Sequence, residues 1–196
     1  MGGRKNWVFW ITKAAARIFL SPFFRVEIQG RENLPKRSAF ILLPKHQRWE
    51  DIPLLSLATP RPLYYVARYD LFENPFTNWF LRSLGGIALN RQRPLESRAS
   101  LQAIPEFLKG GEGIVVFPEG TYYKNTMGPG RMGIMRFILS KMSAPFIPVG
   151  MRYFPAGMRT SVRINFGNAF YANSAAPIGS FLEKMMQEIA ELSGLS

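Results

Sequence analysis

The chain has a single histidine, His46, and no cysteine. Asp51 follows five positions later, inside the stretch Pro44-Lys45-His46-Gln47-Arg48-Trp49-Glu50-Asp51-Ile52-Pro53. Imidazole is the side chain whose ordinary pKa lies near neutrality, so a general base working at pH 7 would be this ring. A carboxylate beside it would hold the useful tautomer and stabilise the imidazolium as it forms. On a regular helix, residues i and i+5 point about 140° apart and do not meet. His46 and Asp51 can therefore cooperate only across a corner, the histidine in a loop after a strand and the aspartate in the opening turn of the next helix. Ala39–Leu43 supplies a short apolar strand run, and Asp51-Ile52-Pro53 reads as a helix start with Asp at or near the N-cap. The same pair could equally be a plain cap on a strand-helix corner.

A second stretch, Phe117-Pro118-Glu119-Gly120-Thr121, directly follows the apolar run 113–116. Between the two lies Gly85-Gly86-Ile87-Ala88-Leu89-Asn90-Arg91, and after them comes Ile147-Pro148-Val149-Gly150. In order and register these four blocks resemble the PlsC-like glycerolipid acyltransferases, the 1-acylglycerol-3-phosphate (lysophosphatidic acid) acyltransferases, whose marks are His-x4-Asp and a later Phe-Pro-Glu-Gly-Thr. The resemblance implies His46 as general base and Asp51 as its partner. It also implies Arg91 on the acceptor's phosphate, with Glu119, Gly120 and Thr121 around the glycerol hydroxyls and backbone. Arginine suits phosphate because its planar fork donates two parallel hydrogen bonds. The chain departs from the family pattern at Lys45, where asparagine is usual, at Arg48, where serine is common, and at Tyr122, where an arginine follows the threonine. Loss of that arginine puts the acceptor headgroup in question, and Lys124 or Arg131 could replace it.

Composition bounds the partners. A formal net charge of +12 over 196 residues calls for something anionic: a lipid headgroup surface, a phosphorylated substrate or nucleic acid. Without cysteine there is neither a disulfide framework nor thiolate chemistry, and one histidine argues against a zinc site. Residues 1–26 carry Arg4, Lys5, Lys13, Arg17 and Arg25 and no acid, interleaved with aromatic residues. Drawn as a helix, Asn6, Lys13 and Arg17 fall within an arc of about 40° and the rest of the circumference is mostly apolar. That pattern suits an interfacial anchor over residues 1–24. A buried core helix or a marginal membrane span are the alternatives, while Lys13 and Arg17 interrupt the apolar centre a signal peptide needs.

The elements that must position the site alternate along residues 25–196. Strands are expected at Arg25–Gln29, Ala39–Leu43, Leu63–Ala67, the run ending at Arg91, residues 113–116, Phe146–Val149 and Val162–Phe166. Helices are expected at Ile52–Ala58, Phe76–Leu84, Ser97–Leu108 with a kink or early stop at Pro105, Arg131–Met142 and Ile178–Leu192. Such alternation argues for one α/β domain, a mixed central sheet flanked by helices, and the resemblance implies the glycerol-3-phosphate acyltransferase-like version of it. Gly128-x-Gly130-x-x-Gly133 has the spacing of a dinucleotide fingerprint, but no strand runs into it. Its plausible use is backbone N–H groups offered to a phosphate or to a donor's pantetheine arm.

Taken with the resemblance, the expected activity is transfer of a fatty acyl chain from acyl-CoA or acyl-carrier protein to the free hydroxyl of lysophosphatidic acid, forming phosphatidic acid in phospholipid biosynthesis. The acceptor itself is the nucleophile, so no acyl-enzyme, metal or redox cofactor is implied, and no Gly-x-Ser-x-Gly elbow is present. The enzyme would be monotopic or peripheral, on the cytoplasmic face of an anionic membrane. Glycerol phosphate or another lysolipid is an alternative acceptor, and a non-catalytic basic protein is the alternative class. No Lys/Arg-Gly-aromatic block or zinc-finger spacing favours nucleic acid.

Overall fold

The computed structural model describes residues 3–90, 98–139, 144–172 and 177–195. The apolar runs form one seven-stranded sheet in the order β1 (Phe24–Gln29), β7 (Arg159–Phe166), β6 (Phe146–Ala156), β2 (Phe40–Pro44), β5 (Gly113–Val115), β3 (Leu63–Arg68), β4 (Gly86–Leu89). Every neighbouring pair is parallel except β6 with β7. Strand β2 is buried along its whole length near the middle of the sheet, which is why it reads as unbroken apolar sequence rather than as an alternation. Its side chains still obey the two-residue period. Phe40 and Leu42 join the core cluster that holds Leu54, Leu55 and Ala58 of α2 (Asp51–Ala58). Ile41 and Leu43 join the opposite cluster, with Ile104 and Leu108 of α4 (Arg98–Lys109), Met135 of α5 (Met132–Leu139), and Met185 and Ile189 of α6 (Ile178–Ser193).

Two departures from the sequence reading have physical causes. Helix α4 runs through Pro105 to Lys109 without stopping. Ile104 and Leu108 are buried on either side of the proline, and that packing outweighs the lost backbone hydrogen bond. Strands β6 and β7 extend well beyond Val149 and before Val162, pairing as a hairpin from Val149↔Phe166 out to Ala156↔Arg159 around Gly157. Asp51 lies in the opening turn of α2 as expected, with Glu50 at the N-cap. Its carboxylate points back into the preceding loop instead of over its own helix.

The amino-terminal helix α1 (Asn6–Leu20) crosses the carboxy-terminal ends of α2 and of α3 (Pro75–Ser83). The Lys5 N–H donates to the Ser83 carbonyl (2.9 Å), and Lys13 Nζ donates to the Thr59 carbonyl at the end of α2 (2.7 Å). Val8 and Phe9 are buried, while Trp7, Trp10, Ile11, Ile18 and Phe19 are exposed. Lys13 thus turns toward the protein, and the stripe Trp7, Ile11, Ala14, Ile18 faces outward. No helix among the described residues is long and apolar enough to cross a membrane.

Candidate active site

Parallel pairing of β2 with β5 delivers the two loops that follow them to one sheet edge, the carboxy-terminal edge where α/β sheets hold their ligands. His46 leaves β2 and Glu119 leaves β5. The His46 ring directs Nδ1 at Asp51 Oδ2 (3.0 Å). Asp51 is fully buried, and its carboxylate is surrounded by donors: the N–H groups of Gln47 (2.6 Å) and Arg48 (2.8 Å) on Oδ2, and the Tyr153 hydroxyl (2.5 Å) on Oδ1. This fixes Nδ1 as the protonated nitrogen and leaves Nε2 as the basic one. Phe117 stacks on the imidazole (centroids 3.8 Å apart, planes 24° apart), and the Tyr122 ring lies tilted against it at 4.3 Å. Burial, together with the adjacent Asp51 carboxylate, pushes the Tyr153 hydroxyl well above the usual phenol range, so it remains a donor.

Behind the histidine sits a fully buried ion pair. Lys45 Nζ donates to both oxygens of Glu119 (2.7 and 2.8 Å) and to the Tyr123 carbonyl (2.8 Å). Glu119 also accepts the N–H of His46 (3.0 Å) and of Gly128 (2.7 Å). Its four acceptor positions are therefore occupied and it has no solvent exposure. The expected contact between Glu119 and an acceptor hydroxyl does not fit this geometry; the carboxylate instead ties the histidine loop to the loop after β5. Burial lowers the Lys45 pKa, against the opposing pull of Glu119. The Gly128 N–H is likewise spent on Glu119 rather than offered to a phosphate, and Gly130 lies against Leu182 and Met186 of α6.

Successive residues of the turn after β5 line two separate cavities, and His46 and Asp51 line neither. A polar one of ≈ 400 Å³ is lined by Gly120 and Thr121 together with Arg68, Asp70, Glu73 and Asn90. Gly120 has φ 71°, a conformation that a side chain would strain. An apolar one of ≈ 450 Å³ starts at Tyr122 and Trp49 and runs between α2 and α3 over β3 to Phe9 and Lys13 of α1. Of the expected site residues, His46, Asp51, Glu119, Gly120 and Thr121 are brought together. Lys124 and Arg131 are exposed and line neither cavity. Arg91 lies outside the described residues, two positions past the end of β4. Tyr153 was not foreseen: the strand was expected to end at Val149, although the two-residue spacing of Met151 and Tyr153 was the available signal.

The acyltransferase family model matches residues 25–152. The chloroplastic 1-acyl-sn-glycerol-3-phosphate acyltransferase of Brassica napus is 31% identical over 74% of this chain and 42% of its own length. The 1-acyl-sn-glycerol-3-phosphate acyltransferase of Bacillus subtilis (strain 168) is 32% identical over 55% of this chain and 53% of its own length. A lyso-ornithine lipid O-acyltransferase of Rhodobacter capsulatus is 28% identical over 61% of this chain and 42% of its own length. The chain thus spans about half, or somewhat less, of the length of these curated relatives. The crystal structure of the 1-acyl-sn-glycerophosphate (LPA) acyltransferase PlsC from Thermotoga maritima has the same fold, with a TM-score of 0.75 over 97% of this chain and 79% of that one at 22% identity. With the family match spanning the sheet from β1 into β6, both signature loops included, the chain belongs to the acyltransferase family.

Proposed function

We propose that the protein transfers a fatty acyl chain from a thioester donor, acyl-CoA or acyl-carrier protein, to the hydroxyl of lysophosphatidic acid, giving phosphatidic acid. The carrying observation is the His46–Asp51 pair, whose imidazole packs on Tyr122 beside a turn that lines a polar cavity with Gly120 and Thr121 and an apolar groove with Tyr122. That arrangement suits an acceptor with a polar headgroup and a donor with a long alkyl chain. His46 Nε2 takes the acceptor's proton as its oxygen attacks the thioester carbonyl, and Asp51 stabilises the imidazolium. The tetrahedral intermediate collapses, the thiolate leaves, and the imidazolium returns the proton to it. No covalent enzyme intermediate is needed. The exposed apolar stripe of α1, flanked by basic residues, supports residence on an anionic bilayer surface.

Thiol release from acyl-CoA in the presence of lysophosphatidic acid tests the reading. His46→Ala should lower the rate by on the order of 10²–10⁴-fold. Asp51→Asn should do similar damage through the wrong tautomer, and vesicle binding should be kept in both variants. Thiol release equal in wild type and His46→Ala would refute the mechanism. A second acceptor reading rests on the polar cavity, where Asp70 pairs bidentately with Arg68 (3.1 and 2.7 Å) and Glu73 adds another carboxylate. A zwitterionic or cationic headgroup fits those charges. Comparing lyso-ornithine lipid with lysophosphatidic acid as acceptors decides between the two.

A further inference from the structure

The strand that brings Tyr153 to Asp51 does not stop there. Beyond Tyr153, β6 continues through Phe154, Pro155 and Ala156 before Gly157 turns it into β7, so the hairpin projects about 10 Å past the tyrosine. It does so at the sheet edge that holds His46, since the Lys45 N–H donates to the Val149 carbonyl of the same strand (2.9 Å). Met158, at the tip, is fully exposed. Strand β1 begins beside this tip: Phe24 pairs with Thr160, and the Thr160 N–H donates to the Phe23 carbonyl (2.9 Å). The Phe23 N–H in turn donates to the Leu20 carbonyl at the end of α1 (3.0 Å). Ile18, Phe19, Phe23 and Met158, all largely exposed, are thereby gathered at this end of the sheet.

The charge around them has one sign. Arg17, Arg25, Arg152 and Arg159 are exposed on the same elements. In residues 17–29 and 146–166 the single acid is Glu27, and Arg163 pairs with it (3.2 Å). An acidic protein and an anionic bilayer both suit a basic surface, and the apolar side chains decide between them. A methionine held out in full exposure gains little from a hydrated protein face, whereas the boundary of headgroups and acyl chains takes apolar side chains to a depth of about 5–10 Å. Phosphates at that depth meet the arginines. Resting on the bilayer residence read above from α1, we propose that the β6–β7 hairpin tip and Phe23 form a second contact with an anionic bilayer, which holds the His46 edge of the sheet against the lipid. A single helix lying in the interface can roll about its axis; a second contact on another element fixes the tilt. The acceptor's hydroxyl then meets the imidazole while its alkyl chain stays in the membrane.

Because the chain has no cysteine, single cysteines can carry an environment-sensitive fluorophore. Met158→Cys, Ile11→Cys on the outer face of α1, and Lys36→Cys are compared on vesicles of phosphatidylglycerol and phosphatidylcholine with quenchers in their acyl chains. Lys36 is exposed ahead of β2, at the edge opposite His46. The probe at Met158 should shift to the blue and be quenched, as at Ile11, while the probe at Lys36 stays as in buffer. Met158→Asp with Phe23→Ser should lower partitioning at least tenfold. Arg25→Gln with Arg159→Gln should lower it on the order of fivefold per arginine on these vesicles and leave it unchanged on phosphatidylcholine alone. A response at Ile11 with none at Met158 overturns the proposal and leaves the α1 reading standing; silence at both positions on bound protein removes the two together. A Met158 response to an acidic acyl-carrier protein but not to vesicles also overturns it, in favour of a protein partner.

Discussion

Asp51 gathers four donors from three places: the imidazole, two loop N–H groups and a tyrosine 102 residues away. A carboxylate so enclosed has one orientation, and the ring it holds therefore has one too. In the proposed mechanism Tyr153 acts through Asp51, to which its hydroxyl donates, as a positioning residue. Tyr153→Phe should lower kcat more than it changes KM, and should reduce unfolding stability by about 1–2 kcal/mol, the worth of a hydrogen bond from a partly exposed donor to a buried charged group. The pH dependence has a definite sign. Folding raises the pKa of Tyr153 and also of Tyr65, whose hydroxyl is buried. The unfolded chain gives up these protons near pH 10, so the stability they contribute is complete below that pH and declines as pH rises beyond it. Urea titrations across the alkaline range should show a shallower decline for Tyr153→Phe, with the Tyr65 component remaining. An unchanged slope would mean that the hydroxyl is not held as described.

At the scale of elements, the Lys45–Glu119 pair joins the loop after β2 to the loop after β5. Lys45 Nζ reaches the carbonyls of His46 (3.3 Å) and Tyr123 (2.8 Å), while the Tyr123 N–H donates to the His46 carbonyl (2.9 Å). The histidine backbone is thus held from both sides. Removing one partner leaves the other charge buried and alone, so Lys45→Met should cost roughly 3–5 kcal/mol in urea unfolding. Adding Glu119→Gln removes that charge, and the double variant should be more stable than Lys45→Met alone. Additive losses would show that the pair is not the unit. The family resemblance made Glu119 a substrate contact; its side chain turns inward onto Lys45, which stands where asparagine is usual, and onto the N–H groups of His46 and Gly128.

At the scale of the whole molecule, α1 serves two faces at once. Phe9 and Lys13 line the groove, and the opposite stripe of Trp7, Ile11 and Ile18 is exposed. Because α1 is built into the fold, deleting it would also remove part of the groove's lining. Single substitutions on its outer face are the cleaner probe. Trp7→Ser with Ile18→Ser should reduce partitioning onto anionic vesicles by at least tenfold, from about 1.5–3 kcal/mol lost per exposed apolar side chain that would enter the interface. The thermal midpoint should stay within a degree or two, since neither residue is buried. Equal partitioning of variant and wild type would show that the bilayer contacts another surface.

Much of this was legible in the residues alone. The lone histidine and the carboxylate five positions on marked a pair that does meet across a strand-helix corner, and the alternation of apolar runs indicated a sheet flanked by helices, because both signals are local in sequence. Tertiary structure decided what no local pattern encodes: that Glu119 faces inward, that Tyr153 completes the aspartate's shell, and that Lys13 turns from the polar arc of its helix toward the protein. Each of these depends on which buried donor meets which buried acceptor. Strand neighbours far apart in the chain settle that matching, and the cost of leaving any one of those groups unpaired enforces it.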